Sequence, residues 1–309
     1  MCNVFISNFN CAIVKITILT GTEVKESVLK QCSDIVGSKI TQNQPDDAEV
    51  QIVTNHFVPT PNLKLVQTLS AGVDHFDFST LPKGVTVCSN AGAYSDPVAE
   101  HAFALLLAHE KKICKFIGKA QDGVFERETV GTLYGSTLGV FGFGGIGRSA
   151  ARIAKAFGMK VIGYSRHPVE DPNLDEFANS VEELFSKSDI VLISIPLSNL
   201  TRGIVSRNLL NKFHGKVIVN VARAGVVDEH DMLEYLRNNP DFYYLTDVWW
   251  NEPNVSFPIP ENAILTPHVA GNVDESISSW RFIYACKNIK KFIDGVPENI
   301  VDVSEYTTK

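Results

Sequence analysis

Leu138–Gly158 reads LGVFGFGGIGRSAARIAKAFG. A short apolar run, a glycine-punctuated turn and a segment with apolar residues at helical spacing follow one another without a gap. The turn fits G-x-G-x-x-G at Gly142, Gly144 and Gly147, with Gly145 and Ile146 inside it. A lone match says little, but one that closes a strand and opens a helix predicts a dinucleotide-binding unit. The first glycine suits the tight turn, the second the close approach of a pyrophosphate, and the third helix–strand packing. The helix start adds N–H donors and positive potential for phosphate.

Downstream of this unit, KVIGY (160–164), DIVLISIP (189–196), KVIVNV (216–221), YYLTDV (243–248) and AILTP (263–267) are apolar runs of strand length. With a helix expected around Val181–Lys187, they predict a parallel sheet covered on both faces. Upstream, KITILT (15–20), VQIVTN (50–55), KLVQTLS (64–70) and VTVCSN (85–90) read as strands of a smaller α/β unit, with a helix in TEVKESVLKQ (22–31). NVFIS, before Lys15, is either an extra strand or a lead-in. A long helix is expected from about Asp96, with Pro97 in its first turn and Lys111, Lys112 and Lys115 toward its end. A polar stretch with glycines, 121–135, follows it, and the chain closes on an amphipathic helix near 276–294.

The 309 residues leave room for one large or two moderate domains. A hydrophobic fraction of 44% with 20% charged residues fits a buried core. The net charge of -7 argues against nucleic-acid binding, which needs a basic stripe. No apolar run is long enough for a membrane span and no signal peptide is evident, so a soluble cytoplasmic protein is expected. The six cysteines form no Cys-x-x-Cys pair and none lies near a histidine at ligand spacing. Buried reduced thiols are expected, and no metal site.

Three chemically distinct residues fall just past predicted strand ends, where ligands bind in such sheets. They are Arg223 in NVARAG (220–225), Glu252 in DVWWNEP (247–253) and His268 in TPHVAG (266–271). Singly, each has an ordinary reading: a surface ion pair, loop solvation, a capping histidine. Together, downstream of the glycine turn, they form a catalytic set. An arginine holds a carboxylate, a histidine moves a proton, and an acid beside that histidine favours its protonated form. At the end of the strand after the glycine helix stand Ser165 and Arg166, where NAD-preferring sites carry an acid on the ribose 2′-hydroxyl. A hydroxyl does not repel a 2′-phosphate and an arginine can pair with it, so NADP is the preferred cofactor, with NAD possible.

At these residues the chain resembles the D-isomer-specific 2-hydroxyacid dehydrogenase family. LSAGVDHFD (69–77) is similar to its substrate loop, and NAGAYSDPVAEHAFALLLA (90–108) to its hinge and long helix. The glycine turn, IPLSNLTRG (195–203), NVARAGVVDE, DVWWNEP and TPHVAG follow in family order. The resemblance implies two Rossmann-like domains: a doubly wound cofactor domain over residues 95–272, and a smaller flavodoxin-like substrate domain over 1–94 completed by 273–309. It implies that Arg223 holds the substrate carboxylate and carbonyl oxygen, that His268 is the acid/base, and that Glu252 hydrogen-bonds it. It also gives Ala71 and Gly72 backbone contacts to the carboxylate, Pro196 a place at the cofactor, and Asp247 the nicotinamide carboxamide. Substrate binds in a cleft whose closure excludes water, and a homodimer forms through Asp96–Lys115 and 121–135. Two departures from the family pattern stand out: Ala224 where glycine follows the arginine, and Ser198 where threonine is common. The expected activity is reduction of a small 2-oxo acid of glyoxylate or hydroxypyruvate type. The alternatives are a D-lactate- or phosphoglycerate-type dehydrogenase and a corepressor-like nucleotide sensor. The Trp249-Trp250 pair either narrows the pocket or packs elsewhere.

Overall fold

The computed structural model describes residues 14–21, 23–256, 258–272 and 275–307. NVFIS lies outside them. The chain divides into two compact units, Met1–Ala93 with Val273–Lys309, and Tyr94–Asn272.

In the first unit the chain runs β1 (Ile16–Leu19), α1 (Glu26–Val36), β2 (Ile40–Gln42), β3 (Val50–Val53), β4 (Leu65–Thr68) and β5 (Thr86–Cys88). The sheet order is β2-β1-β3-β4-β5, with every pair parallel. That order is flavodoxin-like. β1, β3 and β4 are buried along their whole length, which is why they read as unbroken apolar runs rather than alternating ones. β2 was not foreseen: ITQ is too short and too polar at its end to stand out.

The second unit opens with α2 (Ser95–Glu110) and α3 (Ile113–Gln121). One continuous helix over Asp96–Lys115 was expected, and this is corrected. Lys112 takes a left-handed φ of 52°, and α3 restarts after it with no buried residue. The burial stripe of α2, Val98, Ala99, Ala102, Phe103, Leu105 and Leu106, ends before the lysines, so nothing apolar carries the helix through them. Cys114 on α3 is exposed, against the expectation of buried thiols, while Cys32, Cys88 and Cys286 are buried and free.

The unit continues through β6 (Thr137–Phe141), α4 (Gly145–Ala156), β7 (Lys160–Tyr164), β8 (Glu176–Phe177), α5 (Val181–Lys187), β9 (Ile190–Ile193), α6 (Arg207–Leu210), β10 (Val217–Asn220), α7 (Glu229–Asn238), β11 (Tyr243–Thr246) and β12 (Ala263–Leu265). All strands are parallel, in the order β12-β11-β10-β9-β6-β7-β8. The order reverses at β6, between β9 and β7, so the glycine turn after β6 lies at the topological switch point where dinucleotides bind. Two core layers flank this sheet. One packs α2 and α4 against Leu138, Val140, Leu192 and Val219; the other sets Phe185, Leu210 and Met232 against Ile193 and Ile218. Each such fully buried branched side chain contributes roughly 1.5–3 kcal/mol relative to exposure.

After the second unit the chain returns to the first as α8 (Glu275–Ile293). Phe282, Ala285, Cys286 and Ile289 are spaced on one helical face and pack with Cys32 and Val36 of α1. Among the described residues, no helix is long and apolar enough to cross a membrane.

Candidate active site

The turn after β6 has the shape its sequence demands. Gly142 holds φ 107°, and a Cβ there would sit 2.8 Å from Ile195 Cγ2 and from the Ser194 carbonyl carbon. A Cβ on Gly147 would meet Gly142 O at 2.3 Å, so only hydrogen lets α4 start this close to β6. At Gly144, by contrast, a Cβ would meet nothing within 4 Å. That open side is the helix mouth, where Gly144 is the N-cap and no side chain caps the first turn. Uncapped helix amides facing open space fit a pyrophosphate.

β7 delivers Ser165 and Arg166. The Ser165 hydroxyl donates to His167 O at 2.7 Å, which leaves its oxygen lone pairs as acceptors, and Arg166 is exposed. Beyond β9, Pro196 is exposed and its carbonyl accepts from Thr201 Oγ1 at 2.6 Å. Ser198 N donates to the same hydroxyl at 2.8 Å and Ser198 Oγ accepts from Leu200 N at 3.2 Å. Serine therefore supplies the hydroxyl that shapes this turn where threonine is common.

Arg223 follows β10 by three residues. Asn220, the last residue of β10, clamps the intervening turn. Its Nδ2 donates to Arg223 O (3.1 Å) and Tyr244 Oη (2.9 Å), and its Oδ1 accepts from Ala222 N (3.0 Å). Tyr244 is fully buried, which pushes its phenol up to about 12 and keeps it neutral. Arg223 Nη1 donates to Ala222 O at 2.9 Å, which orients the guanidinium fork. Ala224 starts a short 3-10 turn, Ala224–Val226, without a positive φ, so its methyl is accommodated.

Glu252 and His268 come from the loops after β11 and β12. His268 Nδ1 lies 2.9 Å from Glu252 Oε2. A carboxylate only accepts, so Nδ1 carries the hydrogen and Nε2 is the atom available for proton exchange with a ligand. Glu252 Oε1 accepts from Trp249 N, which fixes the acid. His268 sits at φ 55°, a left-handed conformation uncommon for a residue with a side chain. It is held there from the far side by Asp247, only 2% exposed. Asp247 Oδ1 accepts from Thr266 Oγ1 (2.6 Å) and Val269 N (3.0 Å), and Oδ2 accepts from Ala270 N (2.8 Å). His101 of α2 completes the support, with Nε2 2.8 Å from Thr266 Oγ1 and 3.4 Å from Asp247 Oδ1. Sequence reading gave Asp247 only a cofactor contact and missed His101 and Thr266. The threonine was visible inside TPHVAG, but the histidine, far away on α2, was not.

Arg223, Glu252 and His268 line one cavity of about 310 Å³, together with Leu197, Arg202, Glu229, Trp249 and Trp250. Trp250 Nε1 donates to Val227 O at 3.0 Å and both indoles pack near Tyr244, so the pair forms a cavity wall anchored in its own unit. Ala71 and Gly72 lie in the other unit, on the turn after β4, with Ala71 exposed.

A fixed arginine, a histidine oriented by an acid and an uncapped glycine–helix turn are the parts of a nicotinamide-dependent oxidoreductase of hydroxy acids. The family model described as "D-isomer specific 2-hydroxyacid dehydrogenase, NAD binding domain" matches residues 103–270. A solved structure of a glycerate dehydrogenase related protein from Thermoplasma acidophilum is 43% identical, with a TM-score of 0.68, over 89% of this chain and 99% of that one. The D-3-phosphoglycerate dehydrogenase of Methanocaldococcus jannaschii is 31% identical over 94% of this chain, which spans 56% of that protein's length. The hydroxypyruvate reductase of Thermotoga maritima is 32% identical over 70% of this chain and 73% of its own. The chain belongs to the D-isomer-specific 2-hydroxyacid dehydrogenase family, oxidoreductases that act on CH–OH groups with NAD(P).

Proposed function

We propose that the protein reduces a small 2-oxo acid of glyoxylate or hydroxypyruvate type to the D-2-hydroxy acid, with NADPH preferred over NADH. The observation that carries this reading is the oriented His268–Glu252 pair, 2.9 Å apart, in one cavity with Arg223. The bound nicotinamide cofactor supplies the hydride. Arg223 binds the substrate carboxylate and carbonyl oxygen, and stabilises the charge that develops on that oxygen. His268 Nε2 delivers the proton to the same oxygen, and Glu252 stabilises the imidazolium before transfer. Ala71 and Gly72 bind the carboxylate through backbone N–H groups, while Asp247 takes the nicotinamide carboxamide.

Gly142, Gly144, Gly145, Ile146 and Gly147 hold the pyrophosphate, with Pro196 alongside the cofactor. The NADPH preference rests on Ser165 and the exposed Arg166, which replace the acid of NAD-preferring sites. A phosphorylated substrate is the second reading. The phosphoglycerate dehydrogenase relative and the Arg202 guanidinium lining the cavity favour it. We also assign a homodimer to this chain, through α2, α3 and 121–135. Ile113, Ile117, Val124, Phe125, Val130 and Tyr134 are exposed apolar side chains on that surface, with Phe125 93% exposed.

The test is a panel of glyoxylate, pyruvate, hydroxypyruvate and 3-phosphohydroxypyruvate, each with NADPH and NADH, on the wild type and His268→Gln. Turnover of glyoxylate or hydroxypyruvate that the variant abolishes, with cofactor binding retained, is expected. Turnover of the phosphorylated acid alone selects the second reading. Cofactor binding without turnover of any acid points to a nucleotide-sensing interaction protein.

A further inference from the structure

The cavity that holds Arg223, Glu252 and His268 is also lined by two charges of opposite sign, Arg202 and Glu229. Arg202 is exposed and Glu229 half-buried. Among the described residues, neither the Arg202 guanidinium nor the Glu229 carboxylate makes an ion pair or a hydrogen bond, and they do not pair with each other. The neighbouring acids are already engaged. Glu252 serves His268 Nδ1 and Trp249 N, and farther along α7 Asp231 and Glu234 share Arg207.

Both charges are built into place. Arg202 N donates to Ser198 O at 3.0 Å, and Gly203 N donates to Gly225 O at 2.9 Å. The turn after β9 is thereby pinned to the Ala224–Val226 turn, which directly follows Arg223. A Cβ on Gly225 would stand 3.3 Å from Arg202 Nη1 and 3.0 Å from Leu197 Cδ2, so the guanidinium lies against that turn. Glu229 is the first residue of α7, behind the N-cap Asp228, whose side chain accepts from Asp231 N at 2.9 Å. Leu197, Trp249 and Trp250 give the cavity an apolar wall. Its volume of about 310 Å³ corresponds to about ten waters at ~30 Å³ each, more than a two- or three-carbon acid displaces.

We propose that Arg202 and Glu229 form a subsite for the tail of the substrate, and that it selects 2-oxo acids whose carbons beyond C2 carry hydroxyl groups. This rests on the reading that Arg223 and His268 hold the 2-oxo carboxylate end. The tail then enters the volume left over, between an arginine that only donates and an ionised acid that only accepts. A hydroxylated chain serves both: one oxygen accepts from Arg202, one O–H donates to Glu229, and its C–H groups rest against the indoles. A phosphate or a second carboxylate satisfies Arg202 but sets like charge beside Glu229. An alkyl tail displaces water from both charges and pairs with neither, which is how a hydrogen-bonding site rejects an apolar analogue.

The ratio of kcat/KM for 2-oxogluconate to that for 2-oxohexanoate isolates the tail, because the two acids share a carbon chain and differ in its hydroxyls. In the full-length wild type it should be about tenfold or more. Arg202→Met and Glu229→Gln should each bring it to about threefold or less. With 2-oxoglutarate the variants should diverge: Glu229→Gln removes the like charge and should raise kcat/KM at least about threefold, while Arg202→Met should lower it by as much. Opposite signs do not arise from a damaged fold, and if one variant does not fold the ratio in the other carries the test. An unchanged ratio, or an equal loss for all three acids, would overturn the proposal. So would a wild type that prefers 3-phosphohydroxypyruvate to 2-oxogluconate, since Arg202 would then serve a phosphate. If the wild type reduces none of these acids, nor glyoxylate, it is the proposed function that fails. Thermal protection with NADP+ then decides the subsite separately: D-gluconate should protect the wild type more than D-2-hydroxyhexanoate and lose that advantage in Arg202→Met. Equal protection by the two acids would sink it.

Discussion

Asp247→Asn removes one charge and almost no volume, and the structure says what that must do. The carboxylate accepts from Thr266 Oγ1, Val269 N and Ala270 N at 2.6, 3.0 and 2.8 Å. Asparagine has one acceptor oxygen. If it stays toward Thr266 and Val269, the new NH2 group faces the Ala270 N–H, donor to donor. If the amide flips, the Val269 N–H loses its partner instead. Either way one backbone amide is stranded, and Ala270 is 7% exposed. A lost hydrogen bond to a charged group is worth about 1.5–3 kcal/mol. At about 2–4 °C per kcal/mol for a domain of this size, Tm should fall by about 3–12 °C. Activity should fall further than stability explains, because His268 lies between Thr266 and Val269 and keeps its φ of 55° only while those anchors hold. The assay is thermal unfolding by circular dichroism, with kcat for glyoxylate or hydroxypyruvate measured well below Tm. A Tm within about 1 °C of wild type and an unchanged kcat would refute the claim that Asp247 holds the histidine loop.

Arg223→Lys keeps the charge but loses the planar fork, so kcat/KM for the preferred acid should drop by about a hundredfold or more; retention of a third of wild-type activity would remove Arg223 from substrate binding. Gly147→Ala places a methyl 2.3 Å from Gly142 O, and cofactor affinity, read by protein fluorescence, should weaken at least about tenfold. No change would mean that the glycine turn does not set the cofactor site. Arg166→Ala should weaken NADPH by roughly tenfold and leave NADH nearly untouched, whereas equal effects on both would make Arg166 a plain surface charge. The segment 122–131 should loosen in acid. Hydrogen bonds from Lys115, Lys119 and Lys112 pull Glu128 down to about 2 from 4.5, so this contribution is present above the unfolded value and is lost as pH falls toward the folded one. Hydrogen exchange in the segment should therefore rise between about pH 4.5 and 2 in excess of the intrinsic rate, and Glu128→Gln should show raised exchange already at pH 7; a variant as protected as wild type at neutral pH contradicts the anchoring role.

Much of the fold was legible because parallel strands buried on both faces leave unbroken apolar runs. VQIV, IVLI and VIVN declare themselves in this way. What stayed hidden was short or weakly apolar. β8 has two residues, neither fully buried, and α7 buries only Met232 and Leu236 on an otherwise charged helix. The break at Lys112 was hidden for another reason. Nothing in Lys111-Lys112 forbids a helix; the helix stops there because its buried stripe ends, and sequence does not show where a neighbouring surface ends.

The site divides along the same line. Arg223, Glu252 and His268 were legible because each sits within a few residues of a strand end, so local order placed it in space. Part of what positions them comes from elsewhere in the chain: His101 reaches Thr266 across 165 positions. No local pattern encodes such a meeting, because the pairing arises only when helices and strands pack. Asp247 shows the intermediate case. The family resemblance marked it as a cofactor contact, and the three hydrogen bonds to the next loop add a second task that the sequence did not show. A carboxylate whose lone pairs are largely spent on Thr266, Val269 and Ala270 is first of all a support for the histidine loop. Its contact with a cofactor depends on what accepting capacity remains. The loss of stability expected for Asp247→Asn, but not for His268→Gln, is what separates a group that builds the site from one that acts in it.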